Sequence, residues 1–233
     1  MPEQTITHPI ARRHFLRNVL AGAAAGAAVA GIEGALPRPL LAQTTLTPDA
    51  ALRELMAGNE RFDTNQLTSV EHDLRILKEH TVEKQEPFAA VLACADSRVP
   101  IELIFDQTIG HLFVTRVAGN IVTPEIIASL EYAVAVLSVK VLLVLGHTGC
   151  GAVKAAMKAD PVPGQISVLY PHIQSAVEHT GGDVGKAIAN NAKFQANLLR
   201  TSSTVVRDAL QAAKVRVESG VYDLATGKVT LQG

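Results

Sequence analysis

Short apolar runs alternate with amphipathic stretches over most of the chain. Residues 88–93, 112–117 and 139–145 are runs of the length and β-branched content of strands buried on both faces. Between the last two, residues 124–137 place Ile126, Ile127, Leu130, Ala133, Val134 and Leu137 at helical spacing. Thr47-Pro48-Asp49 ahead of an Ala/Leu-rich stretch predicts a capped helix start, and Gly58-Asn59 its end. The polar region 63–86 predicts one helix, over 73–80. Two longer helical patterns, 166–179 and 184–213, are separated by Thr180-Gly181-Gly182-Asp183. Residues 215–224 and 229–231, around Ala225-Thr226-Gly227, read as a β-hairpin, with Gly220 marking a bulge. Buried strands alternating with helices predict an α/β domain. Its central sheet is mainly parallel and flanked by helices, with a C-terminal β-hairpin or edge strand.

The first 42 residues have a different character. Arg12-Arg13 followed by Phe15-Leu16 precedes a mild apolar run, Val19 to Ile32, of Ala, Gly and Val. A Pro/Leu-rich stretch then ends at Ala42. A charged start, a short apolar segment and a small terminal residue form a signal peptide. The paired arginines resemble a twin-arginine export signal. The run is shorter than the about 20 residues that cross a bilayer, which weighs against a membrane anchor. The expected organisation is a signal peptide over 1–42, cleaved after Ala42, and one domain over 43–233. The expected location is periplasmic or otherwise exported, with no stable membrane span once the signal is removed. A net charge of −1 argues against a nucleic-acid partner, and 48% hydrophobic residues exclude a disordered chain.

In parallel sheets, ligands bind beyond the carboxyl ends of the strands. Cys94-Ala95-Asp96-Ser97-Arg98 follows the first run, and Gly146-His147-Thr148-Gly149-Cys150-Gly151 follows the third. The chain's two cysteines therefore both lie just past buried strands. With His147 three residues before Cys150, they form a Cys₂His set that leaves a fourth tetrahedral position open, as in catalytic zinc sites. Two thiolates and an imidazole select zinc over magnesium or calcium. A Cys94–Cys150 disulfide is the competing reading for an exported chain. Asp96 and Arg98 project to the same side of an extended segment, where they can pair or Asp96 can reach the metal.

These two motifs resemble the β-class carbonic anhydrase family. The likeness extends to Gly58-Asn59-Glu60-Arg61-Phe62, Phe113 to Asn120, Ser129 to Val134 and Gly220-Val221-Tyr222-Asp223, so that it spans residues 43–233. It implies a β-carbonic-anhydrase-like fold and an enzyme that interconverts carbon dioxide and bicarbonate. It also implies one Zn²⁺ per chain and a homodimer or tetramer. Carried over by position, Cys94, His147 and Cys150 are the metal ligands. Asp96 and Arg98 are the catalytic dyad, orienting a zinc hydroxide for attack on carbon dioxide. Gln85, Phe113, Ala118, Tyr132 and Gly151 contribute to binding the substrate, Gln85 by a hydrogen bond and Gly151 through its backbone N–H. His111 stands where the family carries an acidic residue. An exposed loop histidine is the simpler reading there, and a proton shuttle the more specific one. Carbonyl sulfide and carbon disulfide remain alternative substrates, and a zinc-binding sensor an alternative role.

Overall fold

The computed structural model describes residues 44–69, 78, 79 and 81–233. The expected signal peptide lies outside the described residues, as does most of the helix expected over 73–80.

The chain enters through helix α1 (Pro48–Asp63), whose start is set by Thr47. Its side chain accepts a hydrogen bond from the Ala50 N–H, and Pro48 fills the first turn, where no donor is needed. Strand β1 (Ala89–Ala93) is buried at every position and leads into the short helix α2 (Ile101–Ile104). Strand β2 (Leu112–Arg116) is followed by a 3₁₀ turn, Ala118–Asn120, and helix α3 (Pro124–Ala135), capped by Thr123. Strand β3 (Val141–His147), buried throughout, runs into helix α4 (Gly151–Lys158). Helices α5 (Tyr170–Val177), α6 (Val184–Ser202) and α7 (Thr204–Gln211) follow, then strands β4 (Arg216–Tyr222) and β5 (Val229–Leu231).

The sheet order is β2-β1-β3-β4-β5, parallel except for the antiparallel β4–β5 pair. Alternate residues of β1 and β3 serve opposite faces, as the pleat requires. Ala89, Val91, Ala93, Val141, Leu143 and Leu145 pack against α1 and α2 through Ala51, Leu55, Ile101 and Ile104. Ala90, Leu92, Leu142 and Val144 pack against α3, α6 and α7 through Leu130, Ala133, Leu199 and Val206. Full burial of one such Leu contributes about 2 kcal/mol. A third cluster joins Cys94 and Cys150 to Ile121, Val153, Ile173 and Ile188, at the carboxyl end of the sheet. After β1 the chain turns to β2 on one side, and after β3 it proceeds to β4 on the other. The crevice between the ends of β1 and β3 is therefore the topological switch point, where open α/β sheets place ligands.

Four details depart from the sequence expectations. Gly58-Asn59 does not end α1, because both residues are packing sites within it. A Cβ on Gly58 would stand 1.9 Å from the Phe105 carbonyl oxygen. The buried Asn59 amide donates to the carbonyls of Ile104 and Gly227 and accepts from the Val229 N–H. The pattern over 184–213 is broken at Ser203, whose hydroxyl caps α7 by accepting from the Val206 N–H and donates to Glu131. The pattern over 166–179 likewise divides into a 3₁₀ turn (Ile166–Leu169) and α5. Gly220 marks no bulge, since the β3–β4 register is unbroken from Val141↔Arg216 to His147↔Tyr222.

Candidate functional site

Cys94 is the first residue after β1, His147 is the last of β3, and Cys150 precedes α4 as its N-cap. Because β1 and β3 pair in register up to Ala93↔Leu145, the two strand ends deliver these residues to one place. One ligand atom from each, two Sγ and an imidazole nitrogen, lie within 4.8 Å of one another, and all three residues are buried. The two Sγ atoms are 4.0 Å apart and unbonded, so the competing disulfide is absent.

Hydrogen bonds prepare each ligand. The Gly119 N–H reaches Cys94 Sγ at 3.3 Å. Gly119 adopts φ 78°, and an added Cβ would come within 2.8 Å of Ile173, so this donor needs a glycine. The turn is anchored from α6, where the buried Asn191 donates to the Gly119 carbonyl and Gln195 accepts from the Val122 N–H. The Cys94 thiol is lowered to about 4, first by the hydrogen bond from Cys150 and then, against burial, by backbone N–H groups. Cys150 is pushed up, because it is the donor of that bond and is buried. His147 Nδ1 lies 3.0 Å from the Thr148 carbonyl, which it can satisfy only as N–H. That tautomer leaves Nε2 with a free lone pair, and Nε2 is buried with no hydrogen-bond partner. An unsatisfied buried acceptor beside two thiols is what a thiophilic, imidazole-binding cation would repay. The residues present therefore fit zinc.

Asp96 faces this cluster, its Oδ2 3.8 Å from His147 Nε2. Arg98 grips the same carboxylate through both oxygens, Nε to Oδ1 at 2.9 Å and Nη2 to Oδ2 at 2.8 Å, while its N–H adds a third bond. The bonds from the Arg98 side chain and N–H hold the Asp96 carboxyl well below the usual carboxylate range. The sequence-predicted pair is thus formed.

The remaining expected residues divide. Ala118 precedes Gly119 and lies beside Cys94. Gly151 opens α4 next to Cys150, with nothing within 4 Å of where a Cβ would stand. Gln85 is not at this site in its own chain. It is exposed and precedes the amino end of β1, while Cys94 follows the carboxyl end. The strand alone separates them by about 16 Å. Phe113 and Tyr132 pack against each other with tilted rings, centroids 6.3 Å apart, rather than on the ligand cluster. Phe113 pairs with Ala90, about 10 Å back from the strand end, and Tyr132 is 45% exposed. His111 is an exposed residue at the amino end of β2, bonded to Thr108 and remote from Cys94, in keeping with the simpler reading. One residue of the site escaped the sequence reading. Arg116 donates from Nε to the Cys94 carbonyl at 3.0 Å and from Nη2 to the Asp96 carbonyl.

Comparison with known proteins agrees with this arrangement. The family model for carbonic anhydrase matches residues 89–229. A carbonic anhydrase of Mycolicibacterium smegmatis is 33% identical over 193 residues, covering 79% of this chain and 93% of that protein. One from Pseudomonas aeruginosa is 36% identical over 162 residues, 63% of this chain and 73% of that protein. Among solved structures, the β-carbonic anhydrase CafA of Aspergillus fumigatus superposes with a TM-score of 0.63 at 26% identity, over 77% of this chain and 89% of that one. Sheet order, buried Cys₂His cluster and relatives converge, and the chain belongs to the carbonic anhydrase family, with the α/β fold of its β class.

Proposed function

We propose that this protein catalyses the reversible hydration of carbon dioxide to bicarbonate and a proton, with one zinc ion per chain held by Cys94, His147 and Cys150. The observation that carries this reading is the buried Cys94–His147–Cys150 cluster, its ligand atoms within 4.8 Å of one another, with His147 Nε2 unpartnered and faced at 3.8 Å by the Asp96 carboxylate. When bound, zinc supplies the Lewis acidity that makes water nucleophilic at neutral pH.

The chain's own residues supply orientation. Asp96 is an acceptor only, so it takes the hydrogen bond of the nucleophile and turns a lone pair toward the substrate carbon. Arg98 holds that carboxylate ionised and prevents its rotation, through a two-pronged charge-assisted pair. The grip also keeps Asp96 out of the ligand cluster, so that a metal held there would stay open to water and substrate. Ala118 and the bare backbone at Gly151 give the small uncharged substrate room beside it.

The position of Gln85 supports a homodimer or tetramer. Its amide can bond the product's oxygen only in the site of a second copy, where Phe113 and Tyr132 would also offer their exposed surface. Export through the twin-arginine-type signal over 1–42, to the periplasm or beyond, completes the proposal. Among the described residues no helix is long and apolar enough to cross a membrane. N-terminal sequencing of the secreted form tests cleavage after Ala42.

The decisive experiment is carbon dioxide hydration by residues 43–233, with zinc counted in the same sample. Activity with about one zinc per chain supports the reading. A zinc-loaded protein with no hydration activity would reject it.

A further inference from the structure

We infer that Arg116 is a positioning residue for this centre, a role that rests on the function proposed above. The ladder between β1 and β2 ends with the Val117 N–H donating to the Ala93 carbonyl. Beyond that bond β1 leaves the sheet, and Cys94, Ala95 and Asp96 have no neighbouring strand to fix their peptides. The Arg116 side chain takes over there. Its Nε holds the Cys94 carbonyl and its Nη2 holds the Asp96 carbonyl, two residues apart.

The consequences reach the ligand. With both carbonyls drawn toward β2, the backbone on either side of Ala95 is fixed where Cys94 leaves the strand. The same loop carries the Asp96 carboxylate to 3.8 Å from His147 Nε2. Arg116 thus sets the orientation of one metal ligand and of the carboxylate that aims the nucleophile, without touching either reacting atom. None of the ion pairs among the described residues involves Arg116. Its guanidinium is committed to two neutral carbonyls. The guanidinium bridges the two carbonyls from separate nitrogens held in one plane, a span that the single nitrogen of a lysine does not reproduce.

The test compares wild type, Arg116→Ala and Arg116→Lys as zinc-loaded proteins, reading kcat, KM and the rate of zinc release to a chelator. Arg116→Ala is expected to lose about tenfold or more in kcat and to release zinc faster by a similar factor, the scale at which groups supporting a metal ligand act. KM is expected to stay within about twofold, since uniform binding is untouched. Arg116→Lys should fall between the two, and millimolar guanidinium should restore part of the Arg116→Ala loss. Wild-type kcat and zinc release in Arg116→Ala would overturn the assignment. So would a loss that neither Lys nor guanidinium repairs, which would mark a general structural defect. If wild type hydrates no carbon dioxide, the proposed function fails, while the difference in zinc release still reads the hold of Arg116 on Cys94.

Discussion

At the scale of single residues, the centre is a set of donors aimed at atoms that carry negative charge. Cys94 Sγ receives the N–H of Gly119, and Asp96 receives three donors from Arg98. Charge is thereby placed before any ligand arrives, which is the economy of preorganised sites. Asp96→Asn keeps the shape of that side chain but replaces one acceptor oxygen by a donor. Hydration activity should fall by at least about a hundredfold, the scale of losing a positioned proton acceptor. Zinc content should be unchanged, because Asp96 is outside the ligand cluster. Stopped-flow hydration and metal analysis on one preparation check both halves. The Cys₂His cluster and the Asp96–Arg98 ion pair were legible in the sequence because they lie at the ends of strands that announce themselves by unbroken apolar runs. Arg116 was not, because its role follows from β1 and β2 standing side by side, a pairing that local pattern does not encode. Nor was the distance of Gln85 from the cluster of its own chain, because five of the residues between it and Cys94 are an extended strand.

At the scale of elements, local signals failed where tertiary packing outweighed them. Gly58 read as a helix stop, but α1 continues through it because α2 and the Phe105 backbone press against that turn. Gly58→Ala should gain about 1 kcal/mol of helix propensity. It should nevertheless lower stability by about 2 kcal/mol net, because a backbone oxygen 1.9 Å from the new methyl cannot swing aside. The urea midpoint measures the sign. Ser203 was hidden for a related reason, since its cap interrupts a helical pattern without changing the apolar period.

The segment after α1 is tied down by Asp106, whose fully buried carboxylate accepts from Arg61, from the Thr68 N–H and hydroxyl, and from the Ser69 N–H. Burial opposes its charge, but these donors prevail and hold the carboxyl well below its ordinary value. A depressed folded pKa stabilises the fold above the unfolded value of about 3.9, and that stabilisation disappears as pH falls below it. Thermal stability should therefore drop on acidification below about pH 4. Asp106→Asn should show a shallower acid dependence and a loss of about 3 kcal/mol at neutral pH.

At the scale of the whole molecule, each chain carries a complete ligand set at one end of its sheet and Gln85 at the other. If sites are completed between copies, two crippled chains can repair one another. A Gln85→Ala chain retains Asp96 and can receive Gln85 from an Asp96→Asn partner. Co-expressed chains should therefore exceed the mean activity of the two parent proteins. Gln85 acting within its own chain would leave every mixed assembly without an intact site, and the activity would equal that mean.

The pairing of β1 with β3 has a consequence in time as well as in space. Cys94 meets His147 only when Ala93 stands opposite Leu145, across about fifty residues of intervening chain. Such distant parallel pairing is among the slowest events in folding, whereas helices form early. The capacity to capture a metal should thus arrive late and abruptly during refolding, behind the recovery of helical signal. A chain whose strands pair one step out of register would turn Cys94 to the other face of the sheet and stay unable to chelate. Metal uptake at this cluster would in effect be a proofreading signal, reporting that the strands have found their correct partners.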